Sequence, residues 1–449
     1  MENPVTSSKI ERVTIKPRYK SDKEKTENLD LAEIDLTPYV AELHYYETIL
    51  SPNTTATITI INQNPKVKLL EDVVILGGEE VTFTVKDFVS VNNKDKNAGL
   101  VKIKMYVEVP DNRQSTKSAE VFRLKLESSW KETLENVGKI KGTRTGSPSQ
   151  IANEVFKANF NRNIDHLDSS TSVANINFGD EKKDDTFPAI MRLASEAAYN
   201  KSAGFFFYQT KFGHHFKSID KLIAEAKGGT NSAIDRKPYE YQYNGINPGI
   251  NEADISSRTI VNITKRTNNW IAKNQMRADA SRPVNPIATD PITYNWYGTG
   301  PTFYENNFET FDLGTVKVTD GAEFSKNAWG ATKLENYGLL NRFDTVTNIC
   351  DFSNNPFQTK AVAKARYTSL FGEMVNITVP CNTSIIAGSS VKLDIKKVNE
   401  GPECSFEDSI VRSDDAGLYI VAAVCHAFNR QRAYSSVFLV RDQKKKEEI

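Results

Sequence analysis

The sequence predicts a mixed β and α+β fold: two similar small antiparallel β-barrels in one chain, an α/β domain between them, and a loop-rich insertion. Three observations lead there. Short segments with apolar residues at every second position dominate both ends of the 449-residue chain, and period two marks half-buried strands. Helical spacing is concentrated in the middle, with Ile151, Val155, Phe156 and Phe160, then Phe187, Ile190, Leu193, Ala194 and Ala197. Finally, "LGGEEVTFTV" from Leu76 to Val85 is echoed by "IAGSSVKLDI" from Ile386 to Ile395. Aligning Gly78 with Gly388 sets Val81, Phe83 and Val85 over Val391, Leu393 and Ile395, a candidate duplicated barrel core. The echo is too distant for a solenoid repeat, so it reads as one β module used twice. Chance recurrence of a glycine turn before a strand is the competing explanation.

Residues 1–29 are polar and mixed in charge, an N-terminal arm ordered only against a partner. Residues 30–135 form the first β-barrel, read from its strands as a small antiparallel barrel or sandwich. In "TTATITIIN" the residues Ala56, Ile58 and Ile60 alternate with threonines, and "EEVTFTVKDF", "LVKIKMYVEV" and "EVFRLKLESS" alternate likewise. "SPN", "LGG", "NNKDKNAG" and "PDN" supply the turns. Residues 136–235 form an α+β domain. "GTRTGS" at 142–147 is a linker into a helix capped by Ser147 with Pro148 in its first turn. A second helix starts near Thr186. Phe205 to Tyr208 then make a strand, Lys211 to Gly213 a turn, and His215 to Ile219 a return strand.

Residues 236–271 start the second β-barrel with "YEYQYNGIN" and "SRTIVNITKR". Residues 272–355 are the loop-rich insertion, where periodicity fails up to about 330 and "WGATKLENYGLLNRFD" adds a short helix. Residues 356–443 complete the second barrel. "AVAKARYTSLFG" is helical, and "EMVNITVPC", "SSVKLDIKKV", "GLYIVAAVCHAF" and "AYSSVFLVRD" are strands. Residues 444–449 are a charged tail.

Composition excludes several classes. Hydrophobic content of 39% and charged content of 25% are globular. Basic and acidic residues balance at 57 each, so net charge argues for neither nucleic-acid nor membrane binding. No apolar run reaches the roughly 18–20 residues of a membrane span, and the N-terminus lacks an apolar signal core, which places assembly in a cytosol. Cys350, Cys381, Cys404 and Cys425 contain no C-x-x-C pair and read as ordinary thiols.

Catalytic constellations are missing too. No phosphate loop, H-E-x-x-H or G-x-S-x-G is present, and no cofactor or metal is expected. His214 and His215 are adjacent on a strand, so they point to opposite faces and cannot readily share a metal; they read as exposed hairpin histidines. His166 lies near Asp165 and Asp168, while "DEKKDD" at 180–185 reads as a charged surface loop. His44 and His426 read as satisfied packing histidines. Glu79 and Glu80 read as a solvated turn rather than a glycosidase pair.

On "SPNTTATITIIN" with "LGGEEVTFTV", on "FPAIMRLASEAAYNKSAGFFFYQTKFGHHFKSID", and on "RYTSLFGEMVNITVPCNTSIIAGSSVKLDI" with "GLYIVAAVCHAF" and "YSSVFLVRD", the chain resembles the central baseplate hub proteins of contractile-tailed, T-even-like phages, in a version like those of marine cyanophages. The resemblance covers about residues 30–443 and rests on the order of structural motifs. Where related hubs tend to carry a glycine in a tight V-x-G-N turn, this chain has Cys381, which puts that turn's geometry in doubt. The resemblance implies a homotrimer in the virion, assembled in the host cytoplasm. Two barrels per chain would give a pseudo-six-fold ring adapting a six-fold tail tube to a three-fold spike. Its implied partners are a central spike protein, tail tube or tube-initiator proteins and the tape-measure protein, with baseplate wedge proteins as further candidates. DNA would pass through without specific binding. The alternatives are a tail-associated cell-wall-degrading enzyme, or a spike, receptor-binding or secretion-system hub on a related trimeric scaffold.

Overall fold

The computed structural model describes residues 8–17, 33–63, 69, 75–86, 100–115, 119–128, 142–178, 186–199, 202–227, 239–244, 258–268, 295–301, 310–317, 363, 367, 370–371, 373–398, 410–412 and 416–441. The "DEKKDD" run and the helix expected in "WGATKLENYGLLNRFD" lie outside them, as do Cys350 and Cys404.

The first β unit contains β1 (Lys9–Lys16), β2 (Ile34–Asp35), β3 (Val40–Thr48), β4 (Thr55–Asn62), β5 (Glu80–Lys86), β6 (Leu100–Ser115) and β7 (Glu120–Glu127). Its antiparallel order is β3-β4-β7-β6-β5-β1-β2. Alternation sets the faces: in β4, Ala56, Ile58 and Ile60 are buried while Thr57 and Thr59 are half-buried. Val81, Phe83 and Val85 of β5 join Met105, Phe122 and Leu124 in the same core. The N-terminal arm needs correction. Residues 9–16 are β1, whose Val13 and Ile15 are buried in this core, so part of the arm is ordered by its own chain.

The middle unit contains β8 (Thr143–Gly146), α1 (Pro148–Phe160), β9 (His166–Leu167), β10 (Ala174–Asn177), α2 (Thr186–Glu196), β11 (Ala198–Tyr199), β12 (Ser202–Ala203), β13 (Phe205–Thr210), β14 (Gly213–Ser218) and α3 (Ile219–Lys227). The Ser147 side chain accepts from the Gln150 amide at the start of α1. Asn161 closes α1 in the left-handed conformation. "GTRTGS" is not a mere linker, because Thr143–Gly146 pairs with β10. The return strand ends at Ser218, and Ile219 begins α3. The α1 and α2 faces bury Val155, Phe156, Ile190 and Leu193 against Phe205 and Phe207.

The last unit contains β15 (Tyr239–Asn244), β16 (Asn262–Asn268), β17 (Asn295–Pro301), β18 (Thr310–Lys317), β19 (Glu373–Pro380), β20 (Ser390–Val398), β21 (Ile410–Arg412), β22 (Gly417–Asn429) and β23 (Ala433–Arg441). Within the expected insertion, β17 and β18 pair as a separate antiparallel ribbon. Ala363, Tyr367 and Leu370 are helical. The antiparallel order is β20-β22-β23-β19-β16. β15 lies parallel to β20, and β21 pairs with the C-terminal end of β20. Val391, Leu393 and Ile395 are buried with Val375, Tyr419 and Leu439.

The two β units are not separate bodies. The C-terminal half of β22, Ala423–Asn429, pairs antiparallel with Glu42–Thr48 of β3. One 14-stranded sheet therefore runs through both. Among the described residues the ladder runs from β16 to β2, with β20 branching from β22 and carrying β15 and β21, and a parallel bridge between Gln242 and Thr259 links β15 to the segment just before β16. Among the described residues the two expected β-barrels share one antiparallel-rich sheet, in which an edge of one unit is satisfied by the other.

Candidate functional site

The turn before β5 and the turn before β20 share a left-handed glycine and one hydrogen-bond pattern, and differ one residue earlier, where Gly77 has a φ of 124° and Ala387 lies outside the positive-φ region. Gly78 and Gly388 take φ of 85° and 81°, a conformation that costs an L side chain. The Gly78 amide donates to the Val107 carbonyl at 2.7 Å, and the Val107 amide donates to the Glu79 carbonyl at 2.9 Å. The Gly388 amide donates to the Val421 carbonyl at 2.8 Å, and the Val421 amide donates to the Ser389 carbonyl at 2.8 Å. Beyond each valine the ladder shifts: between Val107 and Val109 against β7, and between Val421 and Ala423 against β23. β5-β6-β7-β4-β3 and β20-β22-β23-β19-β16 thus share order, direction and one bulge. They differ at the flank, where β1 runs antiparallel to β5 but β15 parallel to β20.

The three units meet at Glu47. Leu43, Tyr45 and Glu47 share the buried face of β3. The Glu47 carboxylate accepts from the Tyr45 hydroxyl at 3.0 Å, from the Lys211 amide in the β13–β14 turn at 2.8 Å, and from the Ala387 amide at 3.1 Å. The Lys211 ammonium donates to the Thr383 carbonyl. Burial raises the Glu47 carboxyl above its usual range, opposed by the bond from the Lys211 amide and its nearby charge. An apolar layer surrounds the knot, with Ile49, Tyr208, Leu222, Ala387, Ile420 and Val440 from all three units. Tyr208 packs directly over Gly388: a Cβ there would lie 2.9 Å from its Cζ. Nearby, Asp168 is buried between the Lys217 and Lys221 ammonium groups at 3.2 and 3.4 Å, and accepts from the Ser218 amide at 3.0 Å.

His214 and His215 require correction. They point to opposite faces, but both are fully buried. His214 enters a cage of Phe156, Phe187 and Phe207, with ring centroids at 4.9, 5.7 and 5.7 Å. Neither of its ring nitrogens has a hydrogen-bond partner. Burial, then the Arg162 charge, lowers its pKa to about 3. His215 stacks on Tyr208 at 4.8 Å and on His166 at 4.3 Å, and its Nε2 meets the Thr210 hydroxyl at 2.9 Å. Its pKa is also lowered, chiefly by burial and then by His166. Stacked imidazoles present faces, not lone pairs, to each other. Among the described residues no three His, Cys, Asp or Glu side chains converge as a metal site.

Glu79 is corrected as well. It is buried, and its carboxylate accepts from the Leu76 and Gly77 amides at 2.9 Å each, so it organises the turn. Glu80 is half-buried and pairs with Lys104 at 2.6 Å. His426 is buried, bonded to the Ser435 hydroxyl at 2.8 Å and the Ile385 carbonyl at 3.1 Å. His44 meets the Tyr46 hydroxyl at 3.2 Å. Cys381 is buried in the first unit's core, and its amide donates to the Ala433 carbonyl at 3.3 Å. Burial pushes the Cys425 thiol up to about 11. Among the described residues no helix is long and apolar enough to cross a membrane. Sequence reasoning missed Glu47. The signal was an acid in phase with Leu43 and Tyr45, on the face that alternation buries.

No protein-family model matches the chain. No curated protein matches it either. Among solved structures it is similar to the 43 kDa tail protein of prophage MuSo2 from Shewanella oneidensis, at 10% identity and a TM-score of 0.46, covering 96% of this chain and 98% of that one. It is similar to a tail protein from Neisseria meningitidis MC58, at 10% identity and a TM-score of 0.47, covering 96% of each. It is also similar to the E. coli c3393 protein, a component of the type VI secretion system, at 9% identity and a TM-score of 0.36, covering 90% of this chain and 74% of that one.

Proposed function

We propose that the chain is the structural hub of a phage tail baseplate, not an enzyme. In this reading three copies form a ring, each contributing the five-strand module twice. A homotrimer offers six near-equivalent contacts only if each chain carries the contact surface two times. The single observation carrying the proposal is the matched geometry at Gly78 and Gly388, with the same strand order and bulge following each. The sequence resemblance to baseplate hubs supplies the setting: a pseudo-six-fold ring between the six-fold tube and the three-fold spike, with a channel for DNA. Central spike, tube or tube-initiator and tape-measure proteins are the partners of this reading, and Val81, Phe83, Val85, Val391, Leu393 and Ile395 are its duplicated core. The division into a first β unit ending near residue 135, with β1 added to it, an α+β unit at 136–235, and a second β unit at 236–271 and 356–443 interrupted by the insertion at 272–355 belongs to it as well. Buried, desolvated histidines are poor general bases, which supports a scaffold over a catalyst.

The test is mass in solution by light scattering after size exclusion, with and without spike protein. Three chain masses are expected in at least one condition. A stable monomer at high concentration in both, or loss of turbidity when the protein meets a cell-wall suspension, overturns the reading.

A further inference from the structure

The β13–β14 hairpin is held differently on its two faces. Phe206 and Tyr208 turn toward the β units. On that side the Lys211 amide donates to Glu47, the Thr54 amide donates to the Gln209 side-chain oxygen at 3.2 Å, and the Tyr367 hydroxyl donates to the Phe205 carbonyl. Phe205, Phe207 and Phe216 turn the other way, into the core built with α1 and α2. His214 stands on this second face, stacked on Phe207 and with no exposed surface.

Each element around His214 brings it a ring, a charge or a neutral group. α1 and α2 present Phe156 and Phe187, and carry Glu154, Lys157 and Arg192 at exposed positions. Glu196 is buried at the opposite end of α2 from Phe187. The loop after α1 brings Arg162, whose guanidinium lies 5.6 Å from the Phe156 ring centre, and Asp165, whose carboxylate accepts from the His214 main-chain amide at 2.8 Å. Gln209 of β13 lies opposite His214 in the ladder. Further along β14, Lys217 is paired with Asp168, and His215 stacks on His166 of β9 across the other face.

We infer that His214 is an acid-sensitive latch: proton uptake by its imidazole detaches α1 and α2 from the hairpin, while the hairpin stays fastened to the two β units. The latch belongs to the middle unit and stands apart from the ring. Both His214 ring nitrogens lack a hydrogen-bond partner in the closed cage, so an imidazolium there would hold two unsatisfied donors and a buried charge facing that of Arg162. Burial, then Arg162, accordingly lowers its pKa from 6.5 to about 3. Water relieves the charge once the covering helices lift. Those helices grip the hairpin through the apolar side chains of Val155, Phe156, Ile190 and Leu193, contacts that re-form when the proton leaves. His215 does not share the trigger. It lies between Tyr208 and His166 and meets the Thr210 hydroxyl, so lifting α1 and α2 leaves its Tyr208 side covered.

The experiment is native-state hydrogen exchange on the full chain at about pH 7.5 and about pH 5.5, read as opening constants after correction for the intrinsic pH dependence of exchange. Amides of α1 and α2 are expected to open more readily than those of β22. Their opening constant should rise about tenfold between the two conditions, as one proton bound only in the open form requires. The rise should vanish in His214→Phe, and in His214→Leu if the cage rejects the larger ring. Opening of α1 and α2 at the same constant as β22 overturns the latch, because the event is then global. A rise that persists in a folded variant overturns it too, because the proton then binds elsewhere. If neither variant folds, the parent decides: a separate opening that gains about tenfold supports the latch, and one that does not respond to pH overturns it.

Discussion

The main-chain amide of Ala387 donates to the carboxylate of Glu47 at 3.1 Å, although 340 residues separate them. The same carboxylate accepts from the Lys211 amide at 2.8 Å. One side chain thus satisfies main-chain donors from two other units.

Replacing it should show what it holds. Glu47→Ala leaves the buried Ala387 amide, the half-buried Lys211 amide and the Tyr45 hydroxyl without their acceptor, and is expected to cost about 3–5 kcal/mol in urea denaturation. Glu47→Gln keeps one acceptor oxygen and should cost about 1–3 kcal/mol. A Glu47→Ala protein within about 1 kcal/mol of the parent would show that water or repacking replaces the knot.

Gly388 sits at a φ of 81° beneath Tyr208. Gly388→Ala should therefore cost about 2–4 kcal/mol, combining a left-handed backbone with overpacking. Gly142 has a φ of 82° with nothing near an added Cβ, so Gly142→Ala should cost only about 1 kcal/mol. Adding Tyr208→Phe to Gly388→Ala should recover part of the loss. Equal costs at both glycines would show that the tyrosine contact contributes nothing.

His214 has the shape of a core residue with two polar atoms that bond to nothing. His214→Phe should stabilise the fold by about 1–2 kcal/mol at neutral pH, since buried unsatisfied groups carry a desolvation cost. His214→Ala should destabilise by about 2–4 kcal/mol through the cavity left among Phe156, Phe187 and Phe207. A destabilised His214→Phe protein, judged by its urea midpoint, would mean the cage cannot accept the larger ring.

Acid should weaken the protein through the same residue. His214 titrates near 3 when folded against an ordinary 6.5, because burial and then Arg162 disfavour its charged form. The unfolded chain binds the extra proton between those values. Its contribution is therefore complete above about pH 6.5 and is lost as pH falls toward 3, with a slope of at most about 1.4 kcal/mol per unit. His215, lowered mainly by burial and then by His166, Lys217 and His214, adds in the same direction. The His214→Phe protein should lose less stability than the parent between pH 7 and 5. Identical losses would place the acid response elsewhere.

Local pattern made the strands and helices legible. The threonine–isoleucine alternation of β4, the Ser147 cap and the glycine turns before β5 and β20 are all set by near neighbours. Burial of His214 depends instead on α1 and α2 covering the hairpin, which no hairpin sequence encodes. Glu79 looked solvated because acids before strands usually are, yet its reach back to Leu76 and Gly77 was within the local sequence. The knot at Glu47 was half-visible: alternation points it inward, but its partners at Lys211 and Ala387 depend on tertiary structure. The parallel pairing of β15 with β20 and the union of β3 with β22 join distant segments whose order periodicity cannot supply.

That union has a consequence for synthesis. The Thr48 hydroxyl donates to the Ala422 carbonyl across 374 residues, so the edge of β3 waits for β22 to be made. At translation speeds of about 5–20 residues per second the wait is roughly 20–75 seconds. During it a strand edge able to recruit any passing strand is displayed on the nascent chain. Neighbouring ribosomes on one message would carry the same unfinished edge side by side. Premature pairing between nascent chains competes with the internal joint, so slowing elongation downstream of β3 should favour aggregation over folding.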